Sequence, residues 1–248
     1  MSEFLGSRYK TLSPYTPGEQ PRGMKYIKLN TNESPFPPSK KAVMAAAEAA
    51  EGLQLYSDPE CALLTEKMAK TLGLNRNQVL MTNGSDEILN FAFMAFCDDR
   101  NGAAFADVTY GFYPVFAAIN SVPYTEIPLK KDFTLCAEDY CSIHKTVFIA
   151  NPNAPTGIAL PTCEIEKILR SNPDNVVVVD EAYVDFGGES CIPLIKKYRN
   201  LLVTQTFSKS RSMAGARLGL GAGCPELIED LRRMKYSTNP SHVNSMTM

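Results

Sequence analysis

The sequence lacks several features that would assign it to a familiar class of protein. It has no tryptophan and only two histidines, and its seven cysteines are scattered without a CxxC pair. Cysteines in this arrangement are typical of free thiols in a reducing compartment, and not of a disulfide framework or a zinc site. We therefore expect a cytoplasmic protein that has no metal site.

Charge and hydropathy exclude further classes of partner. The formal net charge is −2, so a basic surface that binds nucleic acid is not expected. No apolar run approaches the length that crosses a bilayer, and the first ten residues, MSEFLGSRYK, lack the apolar segment of a signal peptide. No GxGxxG motif follows a predicted strand, which argues against a Rossmann nucleotide-binding domain.

The distribution of proline divides the chain into two parts. Six prolines lie within residues 1–38, which we interpret as an irregular N-terminal arm. Residues 39–248 are interpreted as one large domain, since a chain of 248 residues can form one α/β domain, or one domain and part of another.

Apolar segments and helical patterns alternate in residues 39–248. Strands are predicted at 79–82, 103–106, 124–127, 146–150, 176–180, 201–205 and 218–222, and helices at 39–50, 60–72, 85–97, 111–119, 161–169 and 225–235. This alternation predicts an α/β fold in which a mostly parallel seven-stranded sheet has helices on both faces. The consecutive valines at 176–179 are typical of a central strand.

Three polar clusters follow predicted strands, at 83–87, 180–183 and 206–209. In open parallel sheets, ligands bind at the carboxyl ends of the strands. We therefore expect the three clusters to converge on one site.

Lys209 follows the strand at 201–205, and Arg217 lies eight residues further along. A buried lysine is an amine nucleophile that can form a Schiff base, because burial favours the neutral amine. Ser208 and the planar guanidinium of Arg217 could hold a phosphate group. Alternatively, the segment is a surface turn in which both cations are solvated.

Asp180 ends the valine strand, where an unpaired carboxylate would be costly. A protonated pyridine nitrogen would be a suitable partner, since a carboxylate keeps that nitrogen charged and the ring can then accept the electrons of a carbanion. Tyr183 would offer its phenol to a ring oxygen. The simpler alternative is that Asp180 caps a turn or pairs with a structural arginine.

Weaker signals accompany these two clusters. Ser85 and Asp86 begin a predicted helix, whose free N–H groups and dipole favour an anion, although an ordinary helix cap has the same pattern. The segment NPNAPTG at 151–157 is a rigid turn when it is considered alone. Tyr110 offers a surface on which a flat ring could stack, but such aromatic residues more often pack in the core.

Together these segments resemble the fold-type I aminotransferases of class I/II, which use pyridoxal 5'-phosphate (PLP), and most of all their histidinol-phosphate branch. The most specific segments are NPNAPTG at 151–157, VVDEAY at 178–183 and SKSRSMAGARLG at 208–219. The arm segments PYTPGEQP at 14–21 and LNTNE at 29–33 are also typical of that branch. The resemblance covers nearly the whole chain, in the order found in the family.

The resemblance implies how the ring of PLP is held. Lys209 forms a Schiff base with the cofactor and then acts as a proton shuttle. Asp180 pairs with the pyridine nitrogen, Tyr183 bonds to the phenolic oxygen, and Tyr110 stacks on the ring. Asn153 is expected to assist Tyr183, because the family's usual NPNNPTG has an asparagine where this chain has Ala154.

The resemblance also implies a phosphate site and a homodimer. Ser85 and Asp86 present backbone amides to the phosphate, and the side chains of Ser208 and Arg217 complete the site. Tyr56 is the tyrosine that reaches the phosphate of the neighbouring subunit.

The implied reaction transfers an amino group between L-histidinol phosphate and 2-oxoglutarate, with Asn32 and Glu33 at the substrate. An aromatic aminotransferase and a threonine-phosphate decarboxylase are alternatives on the same fold. Members of the family continue beyond the position of Met248 into a small C-terminal domain that supplies an arginine for the substrate carboxylate. We therefore expect an incomplete small domain, and a silent PLP-binding chain is a further alternative.

Overall fold

A computed structural model describes residues 2–10, 12, 19, 23, 27–236 and 240. Apart from Glu19, the arm segment predicted at 14–21 lies outside the described residues, and so does the end of the chain at 241–248. In the described ranges the strands are β1 (Val79–Thr82), β2 (Ala103–Ala106), β3 (Tyr124–Ile127), β4 (Thr146–Ala150), β5 (Val177–Asp180), β6 (Leu201–Thr206) and β7 (Gly219–Gly223). The α-helices there are α1 (Lys40–Ala50), α2 (Ala62–Leu72), α3 (Ser85–Phe96), α4 (Tyr113–Asn120), α5 (Thr162–Ser171) and α6 (Pro225–Met234).

The strands form one sheet in the order β1-β7-β6-β5-β4-β2-β3. Strand β7 is antiparallel to both of its neighbours, and the other adjacent pairs are parallel. This arrangement confirms the predicted α/β fold with a mostly parallel sheet of seven strands. The observed bounds differ from the predicted ones by at most two residues at any end.

The hydrophobic core is divided between the two faces of the sheet. Val177 and Val179 of β5 pack into one buried cluster, whereas Val178 packs into the other. Helices cover both faces, so that successive residues of a central strand are all buried. This is the reason for the run of valines without alternation.

Small residues in β7 allow helix α3 to lie very close to the sheet. A Cβ atom at Gly219 would lie 2.3 Å from the backbone nitrogen of Ser85, and one at Gly221 would lie 2.8 Å from Cδ1 of Ile88. Neither position has room for a larger side chain. The first turn of α3 is therefore fixed at the edge of the sheet where β5 and β6 end.

The described residues contain neither a candidate membrane span nor a candidate metal centre. None of the helices there is both long and apolar enough to span a bilayer. Nor do three or more histidine, cysteine or acidic side chains within those ranges come together as metal ligands. The seven cysteines, which all lie in described segments, form no disulfide.

Candidate active site

The three polar clusters meet at a cavity of about 500 Å³ at the carboxyl ends of β5 and β6. Most of the residues predicted for the site line this cavity: Glu33, Ser85, Asp86, Tyr110, Asp180, Tyr183, Ser208, Lys209 and Arg217. The side chains come from five separate segments of the chain, and the topology of the sheet brings them together. The sequence predicted that the three polar clusters would meet at one site, and the structure brings them together.

One end of the cavity has the donors of an anion site. Helix α3 begins at Ser85 and Asp86, where the first backbone N–H groups of a helix have no partner within it. Gly84 precedes them with φ of +89°, and a Cβ atom there would lie 2.5 Å from Nη2 of Arg217. Glycine at this position therefore allows the guanidinium to lie directly against the turn that precedes the helix.

Arg217 is held at this end by contacts that are long for hydrogen bonds. Its Nη1 lies 3.5 Å from Oγ of Ser208, and its Nη2 lies 3.5 Å from Oδ2 of Asp86. Asp86 also accepts a hydrogen bond from the hydroxyl of Tyr110 at 2.9 Å. Thr206 orients Ser208, because its hydroxyl both donates to Oγ of Ser208 and accepts from the Ser208 N–H. The guanidinium is thus positioned but not saturated with close partners.

Asp180 also lines the cavity and is 5% exposed. Burial raises the pKa of its carboxyl group from 3.8 to about 7, even though two donors favour the ionised form. These donors are the hydroxyl of Tyr113, at 3.1 Å from Oδ2, and the N–H of Ala182, at 3.2 Å from Oδ1. No ion pair to Asp180 occurs among the described residues. The carboxylate is therefore a group to which a cationic ligand would be complementary.

Tyr113 was not among the residues predicted for the site. It is fully buried at the start of α4, and its ring packs against the rings of Phe105, Tyr110 and Phe148. The sequence signals an aromatic residue on an apolar helix but not the direction of its hydroxyl group. Its contact with Asp180 spans 67 positions in the chain.

Lys209 lies at the mouth of the cavity, half-buried and not fully buried as the sequence suggested. Its Nζ donates to the carbonyl oxygen of Thr31 at 2.9 Å and lies 5.6 Å from the centre of the Tyr183 ring. The side-chain amide of Asn32 donates to the hydroxyl of Tyr183 at 2.9 Å. Residues 31–32 therefore bridge the lysine and the tyrosine.

The loops that carry Tyr183 and Lys209 are tied together beside the cavity. Asp185 accepts a hydrogen bond from Ser210 and lies 3.5 Å from Nη2 of Arg211. Glu181 is 2% exposed, and its carboxylate accepts from Ser190, from the N–H of Cys191 and from Gln205. Because Glu181 is adjacent to Asp180, these bonds also fix the backbone that presents Asp180.

Three predicted residues lie away from the cavity wall. Asn153 is 9% exposed, and its side chain bonds to Thr109, Thr156 and the carbonyl of Val108, whereas the neighbouring Ala154 lines the cavity. The structure therefore does not bring the Asn153 amide to the predicted ligand. Asn32 reaches the site only through Tyr183. Tyr56 is 90% exposed and does not line the cavity of its own subunit.

Comparisons with known proteins extend over nearly all of this chain. The family model described as aminotransferase class I and II matches residues 24–246. A histidinol-phosphate aminotransferase of Marinomonas sp. (strain MWYL1) is 51% identical over 250 residues, which cover 100% of this chain and 71% of that protein. A histidinol-phosphate aminotransferase of Clostridium acetobutylicum is 50% identical, over 96% of this chain and 68% of that protein.

A solved structure shares the fold. The crystal structure of histidinol-phosphate aminotransferase from Sinorhizobium meliloti in complex with pyridoxal-5'-phosphate superposes with a TM-score of 0.82 at 22% identity. The match covers 88% of this chain and 61% of that chain. The present chain thus spans about seven-tenths of the length of the two curated relatives and less than two thirds of the solved one.

Proposed function

Because this chain belongs to the class I and II aminotransferases, we propose that it binds PLP in the cavity described above and transfers an amino group between L-histidinol phosphate and 2-oxoglutarate. The observation that carries the proposal is the convergence of Lys209, Asp180 and Arg217 on one cavity of about 500 Å³. A nucleophilic amine, a buried acid and an anion-binding fork are the three groups that PLP chemistry requires of a protein.

The phosphate end of the cavity fits the phosphate of PLP. The start of α3 offers backbone N–H groups, Ser208 offers a hydroxyl, and Arg217 offers a planar guanidinium. Gly84 leaves the space that the guanidinium occupies, which a Cβ atom would fill. These donors are of the kinds that bind phosphate most strongly.

The ring end fits a protonated pyridine. Asp180 is buried with an elevated pKa and no cationic partner among the described residues, and a pyridinium nitrogen would supply the missing positive charge. Tyr183 and Tyr110 line the same cavity and have the chemistry to bond a phenolic oxygen and to contact a flat ring. Ala154 supplies only a methyl group to the wall, so Tyr183 is the candidate partner of the phenolic oxygen.

When bound, PLP would supply an electron sink for the carbanion that forms at the substrate Cα. The chain's own residues then have distinct tasks. Lys209 Nζ would accept the proton from the substrate Cα and later donate it again, which is general acid–base catalysis. Asn32 keeps the Tyr183 hydroxyl in place, and Asp180 maintains the charge of the ring nitrogen.

Reduction with borohydride tests the role of Lys209. After the protein has been loaded with PLP, reduction and peptide mapping should find the cofactor attached to Lys209. Lys235 is an internal control, because it is partly buried and burial lowers the pKa of its amine, yet it lies outside the cavity. Label on Lys235, or label that persists elsewhere in Lys209→Ala, would overturn the assignment.

Comparison of amino donors tests the substrate. With 2-oxoglutarate as acceptor, kcat/KM should be highest for histidinol phosphate. Phenylalanine and tyrosine represent an aromatic aminotransferase, and threonine phosphate with release of CO₂ represents a decarboxylase. A larger kcat/KM with any of these three would replace the proposed substrate but would leave the binding of PLP intact.

We propose that the protein acts as a homodimer in the cytoplasm. Helix α1, the segment after it and the start of α2 expose a set of apolar side chains of a kind that monomers seldom present: Val43, Met44, Leu53, Leu55, Tyr56 and Leu63. A second copy that covered this surface could receive Tyr56 at its phosphate site. The scattered arrangement of the seven cysteines in the sequence, without a CxxC pair, is typical of a reducing compartment.

Mixing two inactive variants tests the sharing of sites. Lys209→Ala removes the lysine from one subunit, and Tyr56→Ala removes the predicted partner contact from the other. A mixed dimer would contain one site with Lys209 and a wild-type Tyr56 from its neighbour, so that mixing should restore part of the tight PLP binding. If no binding is regained although light scattering shows mixed dimers, Tyr56 does not act across the interface.

A further inference from the structure

Asp180 has one side-chain donor in the described structure, and that donor is not a residue of the cavity wall. The hydroxyl of Tyr113 donates to Oδ2 of Asp180 at 3.1 Å, from the core side of the sheet. Tyr113 has 0% exposure and does not line the cavity. The remaining donor, the N–H of Ala182, belongs to the backbone.

We propose that Tyr113 is a positioning residue that keeps Asp180 ionised, so that the proton shared between Asp180 and the ring nitrogen of bound PLP rests on the nitrogen. This inference rests on the proposed function, since it concerns the cofactor named there. Tyr113 itself touches neither the cofactor nor the substrate and acts only through Asp180.

The balance of the shared proton explains why a donor on the far side of Asp180 matters. A carboxylic acid beside a neutral pyridine and a carboxylate beside a pyridinium contain the same atoms and the same net charge. The surroundings therefore decide which of the two forms is populated. A hydrogen bond donated to the carboxylate stabilises the ionised acid and transfers the proton to nitrogen. Only the protonated ring is an effective electron sink.

Other groups near Asp180 act in the opposite direction. Burial raises the pKa of Asp180, and the negative charges of Asp86 and Glu181 raise it further. Tyr110, the other phenol nearby, donates to Asp86 and not to Asp180. Tyr113 thus supplies the main side-chain interaction that favours the ionised form in this environment.

The environment of Tyr113 suits it to this single task. Burial and the neighbouring carboxylate raise its own pKa, so that the phenol remains a neutral donor. Its ring is fixed by Phe105 at 5.6 Å and by Phe148 at 5.8 Å between ring centroids. Phenylalanine at position 113 would keep these ring contacts and remove only the hydroxyl group.

A matched control exists in the same core. Tyr140 is 1% exposed, and its hydroxyl has no hydrogen-bond partner in the described part of the chain. Tyr140→Phe therefore also deletes one buried hydroxyl, but at a position that does not touch Asp180. An effect seen in Tyr113→Phe and not in Tyr140→Phe is due to the bond with Asp180 and not to loss of a buried polar atom.

The first measurement uses protein without cofactor. Carboxyl ¹³C resonances of aspartate are followed against pH in the wild type, in Tyr113→Phe and in Tyr140→Phe, and the resonance of Asp180 is the one absent from Asp180→Asn. Loss of a hydrogen bond to a charged acceptor should raise the titration midpoint by about one pH unit, a tenfold change in the protonation equilibrium. A midpoint equal to that of Tyr140→Phe would overturn the inference.

The second measurement uses the protein loaded with PLP labelled with ¹⁵N in the ring. The fraction of the ring nitrogen that carries a proton should be smaller in Tyr113→Phe than in the wild type and in Tyr140→Phe, because the shared proton shifts towards Asp180. Equal protonation of the nitrogen in all three proteins over the whole pH range would overturn the inference. If the wild type retains no labelled PLP, the proposed function fails. The titration of the cofactor-free protein still tests the bond between Tyr113 and Asp180, so the two failures are distinguishable.

Discussion

Replacement of Asp180 by asparagine in the cofactor-free protein tests the electrostatics of the site through protein stability. Asp180 is buried, and burial raises the pKa of its carboxyl group from 3.8 to about 7. The folded protein therefore binds this proton more tightly than the unfolded chain does. The contribution of Asp180 to the free energy of unfolding therefore falls as the pH rises from about 4 to about 7. Above pH 7 the full destabilisation by the buried carboxylate is present.

The difference between the pKa values of the unfolded and folded protein corresponds to a loss of roughly 4 kcal/mol in the free energy of unfolding, at 1.36 kcal/mol for each pH unit. Asparagine is neutral at every pH and does not carry this cost. Its carbonyl can accept from the N–H of Ala182, and its amide can donate to the oxygen of Tyr113, so that both existing partners keep a hydrogen bond. The variant should therefore become more stable than the wild type as the pH rises, by up to about 1.4 kcal/mol per unit between pH 5 and 7.

Urea unfolding of both cofactor-free proteins at pH 5, 6, 7 and 8 measures this difference. Glu181 is also buried with a raised pKa and is present in both proteins, but its charge raises the pKa of Asp180, so the measured difference includes the coupling between these two carboxyl groups. The difference should level off between pH 7 and 8. A difference that does not change with pH would refute the reasoning. Addition of PLP should then stabilise the wild type more than the variant, because the ligand binds more tightly where its ring nitrogen meets a carboxylate.

Three further substitutions have expected outcomes. Gly84→Ala places a methyl group 2.5 Å from Nη2 of Arg217, on a backbone with φ of +89°. The affinity for PLP, measured by fluorescence titration, should therefore fall at least about tenfold. Unchanged affinity would show that Arg217 is not needed in its present position. Glu181→Ala leaves three donors without their acceptor. The free energy of unfolding, measured with urea, should therefore fall by about 3 kcal/mol. A loss below about 1 kcal/mol would contradict the role of Glu181 in fixing the backbone beside Asp180. Arg217→Lys keeps the positive charge but loses the planar guanidinium group. PLP should therefore dissociate roughly ten times faster, as measured by stopped flow. An unchanged dissociation rate would imply that the charge alone is sufficient.

Secondary structure could be predicted closely because all the strands except β3 are almost entirely buried. Segments such as Val177–Asp180 and Thr146–Ala150 are rich in β-branched and aromatic residues and are bounded by polar clusters. The direction of β7 could not be predicted. An apolar strand has the same pattern in both orientations, and the antiparallel pairing of β7 with β1 and β6 depends on where the chain turns after Arg217.

The site was predictable where short motifs fix both a residue and its place at a strand end, as for Asp180 and Lys209. It was not predictable where the direction of a side chain matters. The turn at 151–157 presents the methyl group of Ala154 to the cavity and directs Asn153 towards Thr109. The bond between Tyr113 and Asp180 likewise depends on the packing of α4 against the sheet, which no local pattern encodes.

The distribution of charge indicates which ligand the cavity selects. Asp86 links the two ends, since it pairs with Arg217 at 3.5 Å and its charge also raises the pKa of Asp180. A phosphate bound at Arg217 would add negative charge and make ionisation of Asp180 still more costly unless a positive group arrived with it. A ligand with a phosphate at one end and a protonated nitrogen at the other satisfies both requirements together. Inorganic phosphate satisfies only the first, so it should bind more weakly than PLP even where the phosphate contacts are the same, and its binding should weaken further as the pH rises through 7 and Asp180 ionises.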